Sequence, residues 1–521
     1  MRNKPESEFY FFRPDKRLPG DGRDPRVPLQ TDPVINETPT DVHLAIVLSV
    51  IMFVMYLASM SWEPFPGPPT ILLLRCLDPL QPPDTQNFLW SWIMRGLALL
   101  PFSTVAIPGG VFSALCGALG VGILTRLMIR IGYVLRNEPG HFSFLREIHA
   151  RRLSGVTAAL FLGLSTPFWV AATRTLPDTF DLLLLLLVAW FIGEYRHRGR
   201  PRDCLKASLL LGVCLTEYPS AWAFLPAILF FMWREMFRWR SLHKWWLHAL
   251  IFLGLLVGLL LLPLNAFLLF KHLALMRAKI TPVEAMLQVL KDQFLPLVYF
   301  RFSPGFLPVV ALVIVPWLAI FVMSTRSPWF YEWGQVSVRL IFMAGFFAVA
   351  FNAAFAPWSL TGMFFLIVAP YVLLAVSVGY IAGEFWIMGE PHALLDTGFL
   401  PRLRRGAMSL IALLFPVVFT ASAVVNWPVV DGRYSRDATR FFQSVFTHLG
   451  ERDILFSSGQ LDDSLRLLAL EQHLTTRIVS APHTGSSVYL NRLANAFEEE
   501  ELSGPLAQGD FGTFLENLLM S

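Results

Sequence analysis

The chain has 521 residues, of which 55% are hydrophobic and only 15% are charged. Typical globular proteins are about 25% charged, because water must solvate their whole surface. Lipid must therefore solvate much of this chain, which argues against a soluble protein. The net charge of +4 is small, and its basic residues fall in clusters that membrane topology explains. No nucleic-acid partner is expected.

Residues 1–42 are polar and rich in Pro, Arg and Asp. They lack the basic, apolar and small-residue regions of a cleavable secretory leader. We expect this segment to be a disordered cytoplasmic tail.

Residues 43–427 are predicted to form a transmembrane domain, since a membrane helix needs about 20 mostly apolar residues. The apolar runs lie at 43–60, 103–125, 154–172, 179–194, 205–217, 219–233, 247–270, 305–324, 338–355, 359–383 and 407–427. The fifth and sixth runs are short and separated only by Thr216-Glu217-Tyr218-Pro219, so they form either two short spans or one broken helix. The predicted fold class is an all-α polytopic membrane protein of about eleven transmembrane helices with a small C-terminal α/β soluble domain.

The basic residues predict how the chain is oriented, because short cytoplasmic loops accumulate Lys and Arg. They cluster in the N-terminal tail and at 126–152, 196–206, 234–244 and 402–405. These clusters share one side of the membrane if the N-terminus is cytoplasmic. Eleven spans then place the C-terminus outside, and the expected location is a bacterial inner membrane.

Two of the predicted external loops are long, at 61–102 and 271–304. The first contains the aromatic segment 88–97, which Arg95 interrupts and which suits a helix lying in the membrane interface. The second contains a predicted amphipathic helix over 282–291, with Thr281 as its cap.

Residues 428–521 are predicted to be an external soluble segment. Residues 453–458 and 477–480 favour strands, and 462–470 favours a helix between them, which is a parallel strand–helix–strand unit. The unit lacks the glycine fingerprint of a nucleotide site. The pattern ends without a closing element, so we expect an incomplete unit.

The sequence shows no nucleophile elbow, no paired-His metal motif and no P-loop. Its cysteines have neither metal-ligand spacing nor a paired framework, so core packing is the favoured interpretation. The cysteines are Cys76, Cys116, Cys204 and Cys214.

Acidic residues at the external ends of the spans are the candidates for catalysis, because charge at a membrane is costly without a role. We single out Glu63, Asp178 and Glu217. Glu63 follows the first span almost at once, where a carboxylate suits a general base or a ligand for a divalent cation. The alternatives are an interfacial acid beside Trp62 for Glu63, and a helix N-cap for Asp178. Glu217, between two short spans, must face water, a partner or a ligand.

Basic residues on the same side are candidates for binding a donor phosphate. Arg174 precedes the fourth span and could hold a phosphate with two parallel hydrogen bonds. Arg277, Lys279 and Arg301 lie in the second long loop. The alternative for each of these three is a charge facing water or lipid headgroups.

Several motifs accompany this order of spans and loops. They are Pro82-Pro83 before Leu89-Trp90-Ser91-Trp92, Leu99-Leu100-Pro101, Phe112-Ser113-Ala114-Leu115-Cys116-Gly117-Ala118-Leu119, Ser165-Thr166-Pro167-Phe168-Trp169, Gly212-Val213-Cys214-Leu215-Thr216-Glu217-Tyr218-Pro219 and Asp453-Ile454-Leu455-Phe456. The arrangement resembles the GT-C superfamily of membrane glycosyltransferases, in its protein O-mannosyltransferase-like branch of bacterial proteins. The resemblance implies a polyprenyl-phosphate-linked sugar donor, a protein or glycan acceptor, and an external acid after the first span as the base.

The sequence departs from that branch close to the expected acid. An Asp-Ser-Gly-Glu-like element is expected ahead of the paired prolines, but the chain reads Phe65-Pro66-Gly67-Pro68-Pro69-Thr70. Gln81 stands where a His commonly precedes the prolines. Either Glu63 substitutes for the missing acid or the site is inactive.

Three functions are consistent with these patterns. The first is transfer of a sugar from a polyprenyl-phosphate donor at the external face, with a divalent cation as a candidate cofactor. The second is a catalytically inactive GT-C-like binding or assembly subunit. The third is a lipid or glycan transporter, which predicts repeated halves with broken helices; the sequence shows one break, near Glu217, and no convincing repeat.

Overall fold

The computed structural model of the protein describes most of the chain after residue 36. The described residues are 37–78, 81–133, 144–238, 244–275, 280–324, 328–362, 368–389, 399–449, 454–459, 461–497 and 500–520. The predicted N-terminal tail therefore lies almost entirely outside the described residues.

The described residues are mainly helical. Up to residue 275 they form α1 (Pro39–Ala58), α2 (Pro68–Leu77), α3 (Phe88–Leu97), α4 (Ala106–Ile129), α5 (Phe144–Leu164), α6 (Thr166–Thr173), α7 (Asp178–Arg198), α8 (Pro201–Glu217), α9 (Pro219–Arg238), α10 (Trp245–Leu259) and α11 (Leu261–Leu275). Further along they form α12 (Pro282–Arg301), α13 (Phe306–Ser324), α14 (Pro328–Ala350), α15 (Pro357–Thr361), α16 (Val368–Met388), α17 (Phe399–Val430), α18 (Ser435–Leu449), β1 (Ile454–Ser457), α19 (Asp462–Glu471), β2 (Arg477–Ser480), α20 (Ser487–Ala494), α21 (Glu500–Ala507) and α22 (Phe511–Met520).

The membrane part is all-α and polytopic. Within the described ranges, the helical segments long and apolar enough to cross a membrane are Pro39–Ala58, Ala106–Ile129, Trp245–Leu275, Val368–Met388 and Gly406–Leu449. Two pairs, α5 with α6 and α12 with α13, bend by 64° and 77° at short breaks and raise the number of candidate spans from five to seven. Each predicted apolar run overlaps one or two helices, but the count of eleven spans stays a prediction.

Local sequence signals explain where several helices begin. At α1, Asp41 N–H donates to Thr38 Oγ1 and Thr38 N–H donates to the Asp41 carboxylate, which is a capping box with Pro39 in the first turn. At α12, Thr281 and Glu284 form the same pair, so the predicted cap is confirmed.

The suspected break between the fifth and sixth runs is a break between helices. α8 ends at Glu217 and α9 begins at Pro219, so only Tyr218 separates them. Proline lacks an N–H and its ring clashes with the preceding turn, which explains why one helix cannot continue through this point.

The core of the membrane part is built from aromatic rings and small residues. Phe161 of α5 contacts the rings of Phe346, Tyr371 and Phe419, from α14, α16 and α17. Where α16 crosses α5, a Cβ added at Gly379 would lie 2.7 Å from the Ser154 carbonyl oxygen. Small residues allow the close helix contacts that membrane proteins use in place of a hydrophobic driving force.

Ion pairs join several helix ends at one end of the bundle. Arg130, at the end of α4, donates to Glu37 at 2.6 Å and to Glu194 of α7 at 2.7 Å, and its guanidinium carbon lies 3.8 Å from the Trp190 ring centroid. Burial alone would raise the pKa of Glu37, but Arg130 and its neighbour Arg126 outweigh that effect and lower it. The start of α1 and the ends of α4 and α7 therefore meet at the end that carries the arginine-rich segments.

The C-terminal part contains the only strands of the described residues. β1 and β2 pair in parallel, with Ile454 opposite Arg477 and Ser457 opposite Ser480, and α19 connects them. β1 and β2 lie within the predicted strand segments, and α19 extends one residue beyond the predicted helix. The helices α20 to α22, which the sequence patterns did not predict, form a second core around Val479. That residues 428–521 make a separate soluble domain stays a prediction.

Candidate functional site

Three helix ends meet just beyond α1. Ser61 N–H donates to the Thr173 carbonyl at the end of α6, at 2.9 Å. Gly432 N–H, just after α17, donates to the Ser59 carbonyl at 2.8 Å, and Trp169 Nε1–H donates to Ser59 Oγ at 2.9 Å. These contacts fix the segment that carries Glu63, and we call the region the α1 junction.

Glu63 is half-buried at the α1 junction, and two charged residues of the C-terminal part are near it. Burial raises the pKa of Glu63, and the positive charge of Arg436 on α18 partly opposes that effect. Glu471 at the end of α19 is also within electrostatic range, since the charge of Glu63 contributes to the raised pKa of Glu471 after burial. A carboxylate with a raised pKa binds a proton more readily near neutral pH, as a general base must.

Arg174 lies at the same junction. Its guanidinium carbon is 3.7 Å from the Phe65 ring centroid, and Nη2 donates to the Val429 carbonyl at 3.0 Å. Burial lowers the pKa of Arg174 to about 10, so the side chain still carries its positive charge at neutral pH. The α1 junction thus combines the Glu63 carboxylate with the buried cation of Arg174, which stacks on Phe65, two residues after Glu63.

Glu217 lies in a different place, at the start of α3. It is fully buried, its Oε2 accepts Leu89 N–H at 2.7 Å and its Oε1 accepts Trp90 N–H at 2.6 Å. A carboxylate is favourable at a helix N-terminus, where unpaired N–H groups concentrate positive charge. The acid at the break between α8 and α9 therefore holds α3, the helix of the first long loop, in place.

Other acids surround Glu217. Asp181, in the first turn of α7, is 2% exposed and interacts electrostatically with Glu217, Asp178 and Asp84. Asp84 accepts Gln86 N–H at 3.0 Å and Asn87 Nδ2–H at 3.1 Å. We call these four carboxylates the acidic cluster.

The two long loops, residues 61–102 and 271–304, are joined next to the acidic cluster. Gln293 of α12 donates through Nε2 to the Thr216 carbonyl at 2.8 Å, and Thr85 Oγ1–H donates to Asp292 at 2.8 Å. Asn265 of α11 donates to the Thr85 carbonyl at 3.1 Å. The first long loop is thus hydrogen-bonded to the second long loop and to α11, and the second long loop is hydrogen-bonded to the end of α8.

The predicted site residues therefore fall into separate groups. Asp178 and Glu217 share the acidic cluster, whereas Glu63 and Arg174 share the α1 junction. Arg301 is exposed at the end of α12, 5.0 Å from the Phe302 ring centroid. Arg277 and Lys279 lie outside the described residues. Whether these residues catalyse a reaction or bind a donor stays a prediction.

The sequence patterns missed Arg436 and Glu471, the charged neighbours of Glu63. No local motif marks either residue, because each reaches Glu63 only through the packing of the C-terminal part on the membrane part. The pairing of Asp181 with Asp178 was foreseeable, since residues three apart in a helix lie on the same face.

The structure bears on metal binding through the placement of its His, Cys, Asp and Glu side chains. Over the ranges that it describes, no group of three or more His, Cys, Asp or Glu side chains is placed to hold a metal ion. The four cysteines are buried and free. The divalent cation considered from the sequence stays a prediction.

The fold defines a polytopic membrane protein whose membrane part is all-α, with the α1 junction and the acidic cluster at the end of the helix bundle opposite the arginine-rich segments. Residues 142–263, from α5 to the start of α11, match the sequence profile of the family described as dolichyl-phosphate-mannose-protein mannosyltransferase. The match covers less than half of the chain, and it supports the resemblance to GT-C-like, mannosyltransferase-type membrane proteins that the motifs indicated. No curated protein matches the chain.

Proposed function

We propose that this protein transfers a sugar from a polyprenyl-phosphate-linked donor to a protein or glycan acceptor, with Glu63 as the general base. One observation carries the proposal: a half-buried carboxylate with a raised pKa is fixed just after the first membrane helix, in a chain with a mannosyltransferase family match. The external acid of GT-C enzymes is expected at this position.

The chemistry requires one proton acceptor and one stabilised leaving group. Glu63 takes the proton of an acceptor hydroxyl while that oxygen forms a bond to the anomeric carbon of the donor sugar. The bond from that carbon to the phosphate oxygen breaks, and the polyprenyl phosphate leaves as an anion. Arg174 is the buried cation at the junction, and a fixed positive charge beside the departing phosphate lowers the barrier.

The other candidates take supporting roles in this proposal. Glu217 positions α3, because both of its carboxylate oxygens already accept backbone N–H groups. Asp178 adds negative charge to the acidic cluster. Arg277, Lys279 and Arg301 bind phosphate or headgroups at the membrane surface.

The proposed setting is the external face of a bacterial inner membrane, with a cytoplasmic N-terminus. The end of the bundle that joins Glu37, Arg126 and Arg130 lies away from the α1 junction, at the other ends of α1 and α4. A cytoplasmic location of the arginine-rich segments would therefore place Glu63 on the external side.

An inactive assembly subunit is the second candidate function. It is favoured by the sequence at residues 65–70, which lacks the acidic element of the branch, so that Glu63 stands alone there.

The test is a transfer assay with the full chain in lipid nanodiscs and radiolabelled polyprenyl-phosphate mannose as the probe. We expect Glu63→Gln to lower the transfer rate about 100-fold, as loss of a general base usually does. Glu284→Gln is the matched control, since Glu284 is exposed on α12 and its capping oxygen survives the change. Full activity of Glu63→Gln would refute the assigned base. A folded wild-type protein that transfers no sugar in this assay or in cell-surface glycoprotein analysis would favour the assembly subunit.

A further inference from the structure

The C-terminal part of the chain forms a wall beside Glu63. Pro64, the next residue, lines a small cavity together with Thr439 and Phe442 of α18 and Ser464 and Leu468 of α19. The surroundings of the carboxylate are therefore formed by two regions that are hundreds of residues apart in sequence.

Glu471 attaches this wall to the membrane part. Its Oε1 accepts Thr104 Oγ1–H at 2.6 Å and Val105 N–H at 3.2 Å, immediately before α4 begins. Leu467, one turn earlier on α19, is fully buried in the core cluster of the membrane part. The end of α19 is thus held by hydrogen bonds and by apolar packing together.

Arg436 approaches the junction from α18. Its guanidinium carbon is 5.7 Å from the ring centroid of Trp62, the residue before Glu63, and its charge interacts with the Glu63 carboxylate. A cation over a tryptophan face is an attractive contact that keeps the charge near this segment.

The charged groups around Glu63 can be assigned element by element. α18 supplies Arg436 and α19 supplies Glu471. Arg174 stacks on Phe65, and Arg433 pairs with Asp431 at 2.6 Å just after α17. The C-terminal part therefore supplies one cation, Arg436, and one carboxylate, Glu471, that interact electrostatically with Glu63.

We infer that the C-terminal part completes the Glu63 site, with Arg436 and Glu471 as positioning residues that set its electrostatic environment. The role assigned to Glu63 rests on the proposed function, but the coupling between these three side chains does not. A nearby cation stabilises the carboxylate form, whereas a nearby carboxylate stabilises the protonated form. Removing Arg436 must therefore raise the pKa of Glu63, whereas removing the charge of Glu63 must lower the pKa of Glu471.

The experiment measures that protonation directly. Full-length protein in lipid nanodiscs is treated with dicyclohexylcarbodiimide across a pH series, and mass spectrometry quantifies the adducts on the peptides that contain Glu63 and Glu471. This reagent modifies protonated carboxyl groups in apolar surroundings, so the fraction modified follows the titration. A Glu63→Gln sample identifies the adduct.

We expect Arg436→Gln to move the labelling midpoint of Glu63 up, and Glu63→Gln to move the labelling midpoint of Glu471 down, each by about half a pH unit or more. The matched controls are Arg440→Gln, whose side chain is 77% exposed on α18, and Glu516→Gln, which is exposed on α22. Neither control should move either midpoint.

Equal midpoints in all variants would overturn the inference, even if the variants lost activity. Shifts in the same direction for both variants would also overturn it, since a merely structural role predicts no dependence on charge sign. Should Glu63→Gln fail to fold, the upward shift of the Glu63 midpoint in Arg436→Gln, compared with Arg440→Gln, decides. The predicted shifts without any sugar transfer would uphold the coupling and reject the proposed function.

Discussion

The carboxylate of Glu217 accepts the backbone N–H of Trp90 at 2.6 Å, although 127 positions separate the two residues. Its second oxygen accepts the N–H of Leu89 at 2.7 Å, so both oxygens serve the first turn of α3. Because Glu217 ends α8 at the break before Pro219, the break places an acid where α3 begins. The break between α8 and α9 is thereby joined to α3.

Replacing Glu217 should cost more stability than neutralising it. Glu217→Ala removes the acceptor of the buried Trp90 N–H and of the part-buried Leu89 N–H, and an unpaired buried donor costs about 1–3 kcal/mol. We expect the thermal unfolding midpoint in nanodiscs to fall by roughly 5 °C or more. Glu217→Gln keeps one acceptor oxygen, so the unfolding midpoint of this variant should fall by less. A Glu217→Ala protein that melts like the wild type would show that α3 does not depend on this contact.

Sugar transfer should fail at acidic pH because of Glu63. The base must be ionised, and burial raises the pKa of Glu63, so the acid limb should lie above the ordinary glutamate value of about 4.3. The initial rate measured against pH checks this. Protein unfolding does not explain the same limb through Glu63, because a raised pKa in the folded state makes protonation favour folding. A rate that stays constant down to pH 4.5 would contradict the assignment.

The stability that Glu37 contributes at the opposite end of the bundle should decrease as the pH falls. Arg126 and Arg130 lower the pKa of Glu37 despite its burial, so its stabilisation is complete above the unfolded value of about 4.3 and is lost as the pH falls below it. Arg130→Gln removes hydrogen bonds to Glu37 and Glu194, and we expect the unfolding midpoint at pH 7 to fall by roughly 5 °C.

The control for Arg130 is Arg202→Gln, since Arg202 is exposed near the start of α8. Melting curves between pH 2 and pH 7 should converge for wild type and Arg130→Gln at the acidic end. A constant difference across that range would mean that packing on Trp190, not the ion pair with Glu37, carries the effect.

The features that could be predicted from the sequence are local, and those that could not are long-range. The cap at Thr281 depends on Glu284, three residues away. The residues whose pattern predicts this cap are therefore the residues that form it. The contact of Glu471 with Thr104 crosses 367 positions, and neither residue carries a local signal of it. The acids of the candidate sites could be named, but their division between the α1 junction and the acidic cluster depends on how the helices pack.

Close packing between α8 and α10 should make Gly258 sensitive to substitution. A Cβ at this position would lie 2.7 Å from Val213 N and 2.8 Å from Gly212 Cα, and closer still to the Leu209 carbonyl oxygen. These are mainly backbone atoms that cannot rotate away, so the helices must separate. We expect Gly258→Ala to lower the unfolding midpoint in nanodiscs.

Gly406→Ala on α17 is the matched control for Gly258→Ala. A Cβ at Gly406 would meet no atom within 4 Å, and alanine favours a helix over glycine by up to about 1 kcal/mol. This variant should be as stable as the wild type or slightly more stable. Equal effects of the two substitutions would mean that helix propensity, not interhelical contact, governs Gly258.

The sidedness of the membrane domain can be tested with single cysteines, because the four native cysteines are buried and free. Ser487→Cys lies exposed at the start of α20, and Arg202→Cys lies exposed among the arginine-rich segments. A membrane-impermeant maleimide should label Ser487→Cys in intact cells, and Arg202→Cys only after permeabilisation. The C-terminal part packs on the α1 junction through Glu471, so the label on Ser487→Cys also reports the side of Glu63. Labelling in the reverse order would place Glu63 in the cytosol, where transfer to an external acceptor cannot occur.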